Sequence, residues 1–189
     1  MLFRSVALEV GMFLYVVNVT HRTDLAQQIG NPWYLSGVGG FAVAGAIGAA
    51  FALRAAIPGR EPRLIEIGLL LAVAVASAVL LLHEPVNGIV PVRKFIDVGL
   101  RCAVEIVILA TLPWIALLWA MRRGAPLSPG MDGALMGAAA FFCSFALMRI
   151  ICPLDERLHL LTWHLLPALT GIVLSAWIGL FLFRRRVGH

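Results

Sequence analysis

Long apolar runs separated by short polar turns make up most of this chain. Each run is apolar enough to cross the roughly 30 Å hydrocarbon core of a bilayer as a helix, a structure that satisfies its own backbone hydrogen bonds. There are six: Ser5–Val19, Leu35–Leu53, Leu64–Leu82, Cys102–Met121, Gly133–Ile150 and Leu160–Phe183. The pattern predicts an all-α, polytopic membrane protein with six transmembrane helices in a bundle and short loops.

Composition agrees with this class and indicates one domain. Of the 189 residues, 61% are hydrophobic and only 13% are charged, which is far outside the range of soluble domains. No linker rich in Ser or Pro divides the chain, so residues 1–189 are predicted to form a single six-helix transmembrane domain. The first run has no small-residue cleavage pattern before His21, so we expect a retained span rather than a signal peptide.

Basic residues in the short loops predict the orientation, because Lys and Arg accumulate on the cytoplasmic side during insertion. Six of the 15 basic residues fall on one side of the predicted topology: Arg22, Arg93, Lys94, Arg101, Arg149 and Arg157. The opposite side carries the other nine: Arg4, Arg54, Arg60, Arg63, Arg122, Arg123, Arg184, Arg185 and Arg186. The side with nine contains both termini, which are therefore predicted to be cytoplasmic.

The net charge of +5 indicates a membrane-surface partner rather than nucleic acid. The positive charges lie in separate juxtamembrane turns, whereas nucleic-acid binding needs a continuous basic surface. Anionic lipid headgroups attract such residues by about 1 kcal/mol each. We expect anionic lipids as partners, no direct nucleic-acid binding, and no particular oligomeric state.

Two cysteines are predicted to meet at the outer rim of the bundle. Cys102 begins the fourth span and Cys152 ends the fifth, and these antiparallel spans deliver both thiols to one membrane face. A structural disulfide between them would close a loop of about fifty residues and stabilise the fold by about 4 kcal/mol in the chain-entropy model. The pair is equally consistent with a reversible dithiol that responds to oxidants or soft metals, or with two unrelated thiols.

Small residues elsewhere are predicted to pack helices together. Cys143 lies in the middle of the fifth span, where a small apolar side chain packs well and a thiolate would be costly. The second span contains a series of small residues that lets a neighbouring backbone approach closely: Gly37, Gly40, Ala44, Gly45 and Gly48.

The outer rim also has the residue types of a metal site. The candidate ligands for a soft ion such as zinc are Cys102, Cys152, Asp155, His159 and His164, and a complete site would need Cys102 or His83. In a regular helix the two histidines, five residues apart, are rotated by about 140° and do not form the i, i+4 pair of helical zinc ligands. No other cofactor is predicted.

Structural roles compete with this interpretation. Asp155 is predicted as the N-cap of the sixth helix, because its carboxylate can accept from backbone donors two or three residues on. Pro167 cannot donate to the Trp163 carbonyl, which predicts a bend beside His164. No Ser/His/Asp set, paired carboxylates or phosphate-cradling loop is present, so the chain is not expected to be an enzyme.

Three stretches of the chain resemble the NrsF-type membrane anti-sigma factors, negative regulators of sigma factor F. The most specific runs from Cys152-Pro153-Leu154-Asp155 through His159 to Trp163-His164-Leu165-Leu166-Pro167. The others are Arg122-Arg123-Gly124-Ala125-Pro126-Leu127 and the pair formed by Asn31-Pro32 and Ile57-Pro58-Gly59-Arg60. With the six-span layout, the resemblance covers nearly the whole chain.

The resemblance implies a bacterial inner-membrane protein that holds an extracytoplasmic-function sigma factor at the cytoplasmic face. Two periplasmic cysteines would release the factor under oxidant or heavy-metal stress, and Cys102 and Cys152 match them by position. Family members carry a cytoplasmic segment before the first span, and here only Met1 to Arg4 precede it, so that segment is expected to be missing. The alternative function is a small structural subunit of a membrane complex, in which a disulfide merely staples helices.

Overall fold

Helices account for all the regular structure in the parts of the chain that the computed structural model describes, residues 22–83, 90–124 and 127–183. In chain order they are α1 (Leu25–Gln28), α2 (Pro32–Ala55), α3 (Leu64–His83), α4 (Val92–Arg123), α5 (Pro129–Ile151), α6 (Arg157–His159), a π-helix (Leu160–Leu165) and α7 (Leu166–Phe183). The last three follow one another directly and form one span, Arg157–Phe183.

Five helices within the described ranges are long and apolar enough to cross a membrane: α2, α3, α4, α5 and the span Arg157–Phe183. They match the second to sixth predicted spans, so the all-α, membrane-spanning class is confirmed for these five. The first predicted span, Ser5–Val19, and the basic run Arg184 to Arg186 lie outside the described residues. The six-span topology therefore stays a prediction.

Helix α5 is the centre of the bundle and α3 lies at its edge. In their most apolar windows, 72% of the α5 residues are buried, against 17% of the α3 residues. Helix α5 packs against α2, α4 and α7, whereas α3 packs mainly against α2. The core between them is apolar and contains Phe41, Phe142 and Phe145. The end of α5 is thus the best-shielded place from which to present a side chain.

Small residues allow the closest helix contacts, as predicted for α2. A Cβ atom on Gly48 would lie 2.9 Å from the backbone nitrogen of Ala139 in α5, and one on Gly40 would collide with Ser77 of α3. Gly45 lies against Cys143, which confirms a packing position for that cysteine. Between α5 and α7, Gly133 and Gly179 make a similar contact.

Helix α4 begins ten residues before its predicted start at Cys102. The added segment, residues 92–101, is amphipathic: Arg93 and Asp97 pair across its exposed face at 3.7 Å, and Gly99 is buried against the Trp163 indole. A hydropathy pattern underestimates such a segment because its charges hide the apolar face. The whole helix has 32 residues and is about 48 Å long, so Cys102 lies about three turns inside it.

The N-cap of α6 is Glu156, and the prediction that Asp155 would cap this helix is wrong. The Glu156 carboxylate accepts from the backbone nitrogens of Leu158 and His159 at 3.1 and 2.8 Å. Asp155 is one residue too early, and its carboxylate is held by two arginines instead. That frees Asp155 for a different role at this end of the bundle, here called the outer end after the predicted topology; the opposite end is called the inner end.

Candidate functional site

Two free thiols face each other at the outer end of the bundle. Cys102 on α4 and Cys152, immediately after α5, have Sγ atoms 3.4 Å apart. They are 2% and 1% exposed, and their surroundings include Ile106, Met148 and Ile151. The antiparallel arrangement read from the sequence does bring the thiols together; their part in sensing stays a prediction.

The two histidines join these thiols because the helix between them is not regular. The Leu166 nitrogen donates to the carbonyl five residues back, at Leu161, which widens the turn into the π-helix just before Pro167. His159 and His164 consequently meet edge to face, with ring centroids 5.2 Å apart. The expectation that a spacing of five would turn them away from each other was wrong, since it assumed a regular α-helix.

The four side chains form one compact group, here called the Cys/His cluster: Cys102, Cys152, His159 and His164. One ligand atom from each lies within 4.8 Å of all the others. The Cys152 Sγ is 3.5 Å from the His159 Nε2. Two phenylalanine rings contact the histidines edge to face, Phe95 against His159 and Phe145 against His164. Two sulfurs and two imidazole nitrogens are a ligand set that suits a soft metal ion.

Several polar atoms of the Cys/His cluster have no hydrogen-bond partner among the described residues. They are the His159 Nδ1 and both ring nitrogens of His164, and both histidines are fully buried. Buried polar groups are hydrogen-bonded in the great majority of cases, and these nitrogens belong to a group of side chains that could hold a metal ion. Glu105, one turn after Cys102 on α4, has a buried Oε2 in the same condition.

Asp155 lies outside the Cys/His cluster and belongs to a neighbouring ion network. Its Oδ1 accepts from Arg149 at 2.7 Å and from the Arg22 Nη1 at 3.0 Å, and its Oδ2 accepts from the Arg22 Nη2. Both arginine side chains are buried. With its carboxylate committed to two cations, Asp155 is not available as a fifth metal ligand in this arrangement.

The same network holds the backbone next to Cys152. Arg22 Nη1 donates to the Cys152 carbonyl at 3.0 Å and to the Arg149 carbonyl at 3.3 Å, and the Tyr34 hydroxyl donates to the Arg149 carbonyl at 2.9 Å. The Tyr34 ring lies under both guanidinium groups, at 5.0 Å from each. Segment 22–34 is thereby fixed to the end of α5.

Charge in this region is strongly paired. Burial opposes the positive charge of Arg22, but hydrogen bonds and attraction from Asp155 and Asp24 outweigh it and raise the pKa of Arg22. Partial burial of Asp24 likewise acts against its charge, yet Arg22 lowers the pKa of Asp24 below its usual range. The hydrogen bond from Cys102 lowers the pKa of the Cys152 thiol; burial acts against this, and His159 and His164 lower the pKa further.

Sequence reasoning missed Arg22 and Tyr34. Arg22 was counted only as one of the six basic residues on the outer side, and Tyr34 opens an apolar run without any polar neighbour that marks it. The available signal was indirect. Arg149 and Asp155 flank Cys152, and a charged side chain that is buried needs a partner of opposite charge. His83, in contrast, is exposed, bonds the Val79 carbonyl at 2.8 Å and does not join the cluster.

Comparison with known proteins identifies the family of this chain. A family model described as "Negative regulator of sigma F", NrsF, matches residues 1–184 of the chain. The chain belongs to the NrsF family. The resemblance seen in the sequence is therefore confirmed, and NrsF proteins are regulators rather than known enzymes.

A curated relative carries the same family name. The NrsF chain described here is 34% identical over 84 residues to "Anti-sigma-F factor NrsF" of Caulobacter vibrioides (strain NA1000 / CB15N). The matched segment covers 44% of this chain and 39% of the relative, so the chain spans less than two thirds of that relative's length. No solved structure matches this NrsF chain.

Proposed function

We propose that this chain is a bacterial inner-membrane anti-sigma factor that senses oxidant or heavy-metal stress through Cys102 and Cys152. It would hold an extracytoplasmic-function sigma factor at the cytoplasmic face and release it when the thiol pair changes state. The observation that carries the proposal is the buried pair itself, with 3.4 Å between sulfurs, in a member of the NrsF family.

Either stress would change the same two atoms. A peroxide would oxidise the pair to a disulfide, taking up two electrons and the two thiol protons to leave an alcohol and water. A soft metal ion would instead bind both thiolates and expel the two protons. Disulfide formation would shorten the 3.4 Å separation of the two sulfurs, whereas a bound ion would reset it to the spacing of its own coordination geometry, so both reactions would act on the end of α5.

The ion network supplies a route from that event to the rest of the bundle. Cys152 and Arg149 both offer backbone carbonyls to Arg22, and Tyr34 at the start of α2 bonds the same Arg149 carbonyl. A shift of the Cys152 backbone would therefore pull on α2, whose other end pairs with α3 through Arg54 and Glu66 at 2.7 Å. Two global arrangements biased by the thiol state are what an allosteric regulator requires.

The proposed topology puts the Cys/His cluster in the periplasm and both termini in the cytoplasm, within one domain comprising residues 1–189. It rests on the excess of basic residues on the opposite rim. That rim would carry the sigma-binding surface and contact anionic lipids. No direct contact with nucleic acid is needed, since the sigma factor supplies it.

A reporter for the sigma-dependent promoter tests the proposal in cells that carry the full-length protein. Wild type should be induced by cadmium and by peroxide. Cys102→Ser and Cys152→Ser should abolish this stress-dependent change, because each removes half of the pair. Cys143→Ser is the matched control, since Cys143 packs against Gly45 and lies outside the Cys/His cluster.

Unchanged induction in both outer-thiol variants would refute the sensing role. If, in addition, no sigma factor co-purified with the full-length protein, the alternative of a structural subunit with a stapling disulfide would replace the proposal. If an impermeant maleimide labelled Cys102 and Cys152 only from the cytosolic side, the proposed topology would be wrong.

A further inference from the structure

We infer that His159 and His164 complete, with Cys102 and Cys152, a closed four-ligand site for a tetrahedral soft divalent cation of the zinc class. The inference builds on the thiol pair of the proposed function and adds to it the histidines and the identity of the ligand. It concerns what the chain binds in its resting state.

Two separations within the Cys/His cluster are close to the edges of a metal tetrahedron, and its ligand atoms all lie within 4.8 Å of one another. Zinc bonds of about 2.3 Å to sulfur and about 2.0 Å to nitrogen put two sulfurs roughly 3.8 Å apart and a sulfur and a nitrogen roughly 3.6 Å apart. The observed Cys102 to Cys152 and Cys152 to His159 separations are 3.4 and 3.5 Å. Small adjustments of side chains would seat an ion at the centre.

The backbone irregularity lies just before Pro167, whose missing N–H interrupts the regular bonding there, and it orients a histidine. The π-helix costs regular hydrogen-bond geometry, and such turns occur frequently at functional sites. Here it turns His164 toward His159 and Cys152, where neither of its ring nitrogens has a hydrogen-bond partner among the described residues. A bound cation would accept the lone pair of one nitrogen of each histidine and remove part of this deficit.

Charge balance favours a divalent cation bound by two thiolates. Two thiolates and two neutral imidazoles around such an ion form a neutral unit, which is tolerable in a fully buried place. Asp155 would add a negative charge, but it is already neutralised by Arg22 and Arg149. We therefore exclude Asp155 from the ligand set and keep four residues: Cys102, Cys152, His159 and His164.

Cobalt(II) titration of the purified full-length chain, reduced and in detergent micelles without air, tests the site. Co²⁺ should bind one per chain with the intense visible bands of tetrahedral geometry and a thiolate-to-metal charge-transfer band, and Zn²⁺ should displace it. His164→Ala should weaken binding by at least about 100-fold, the upper end of the loss seen when an outer-shell partner is removed. Cys152→Ser should remove the charge-transfer contribution of that sulfur.

Two variants serve as matched controls, Cys143→Ser and His83→Ala, because each removes the same kind of group outside the cluster. Both should bind Co²⁺ like wild type. Where a cluster variant fails to fold, wild type alone decides: Zn²⁺ should protect Cys102 and Cys152, but not Cys143, from maleimide as measured by mass spectrometry of peptides.

Absence of stoichiometric tetrahedral cobalt in wild type, or binding by His164→Ala as tight as wild type, would overturn the inference. That failure is separable from failure of the proposed function. If cobalt does not bind while the outer-thiol variants still abolish induction, a bare dithiol sensor remains. If cobalt binds and induction is unchanged in those variants, the site is structural.

Discussion

Two ion pairs at opposite ends of the bundle have the same length but differ in how deeply they are buried. Arg149 and Asp155 at the outer end, and Arg54 and Glu66 at the inner end, are each 2.7 Å apart. The outer side chains are 0% and 15% exposed, whereas the inner ones are 41% and 27% exposed. Water already solvates the inner pair, but the outer charges depend on each other. Distance alone therefore does not rank these interactions; burial does.

The inner end is held by backbone contact instead. Gly133 of α5 and Gly179 of α7 let the two helices touch, and Gly124 after α4 meets the carbonyl of Ala56. Such contacts gain from dispersion and resist motion without any charge. The outer end is thus polar, while the inner end is a packed junction.

The largest expected effect comes from removing the shared acid at the outer end. Asp155→Asn removes the carboxylate charge shared by two buried guanidinium groups, those of Arg22 and Arg149, and we expect a loss of about 3–5 kcal/mol in the free energy of unfolding. Unfolding by sodium dodecyl sulfate in mixed micelles, followed by circular dichroism, measures it.

Glu66→Gln is the matched control, an acid-to-amide change in the exposed pair, and should leave the unfolding midpoint where it is in wild type. Equal losses for the two variants would show that burial does not distinguish the two ends, and the comparison would fail.

A smaller effect is expected from filling the inner junction. In Gly133→Ala the new Cβ atom would lie 3.0 Å from the Cα atoms of Ala176 and Gly179, and nearer still to the Ser175 carbonyl. Because these are backbone atoms, α5 and α7 must separate, at a cost of about 1–3 kcal/mol in unfolding free energy. The same unfolding assay applies.

Gly39→Ala is the control for that change, since Gly39 is exposed on α2 with nothing within 4 Å of the added atom. Alanine there should be neutral or stabilise by up to about 1 kcal/mol through helix propensity. A Gly133→Ala variant as stable as Gly39→Ala would mean that the inner junction is loose.

The smallest effect is a pH dependence at the outer end. Arg22 lowers the pKa of Asp24 in the folded state, so the folded chain binds fewer protons there than the unfolded chain. The associated stability is present above the unfolded value of about 3.9 and is lost as the pH falls through the folded pKa. Unfolding midpoints should fall less steeply below about pH 4 in Asp24→Asn than in wild type. Parallel curves would contradict the pairing.

Sequence patterns predicted the class of the fold because bilayer thickness imposes a length and a polarity on each span. The five described spans were found for that reason, and three glycines of α2, Gly40, Gly45 and Gly48, were correctly assigned to packing. The start of α4 was missed by ten residues, since an amphipathic extension outside the hydrocarbon has no apolar run. Which residue caps α6 depended on whether the side chain of Asp155 or that of Glu156 already had a partner elsewhere. Such tertiary contacts are not visible in a local sequence pattern.

Residue types at the candidate site were foreseen more completely than their geometry. Antiparallel topology was enough to bring Cys102 and Cys152 together. The position of the histidine rings was not predictable from an assumed 3.6-residue turn, because the π-helix changes the rotation between His159 and His164. Arg22 was beyond reach for another reason: its partners beside Cys152 are more than a hundred positions away in the sequence.

A π-helix holds one residue more per turn than the α-helix around it, so the span Arg157–Phe183 contains an effective insertion between Leu160 and Leu165. Everything on the amino-terminal side of it is rotated by about 100° relative to an uninterrupted helix. The direction in which the His159 side chain points is thus set by the number of residues in that turn rather than by which side chains they carry. Deleting a single apolar residue from that turn would keep the hydrophobic pattern and still swing His159 off the thiols.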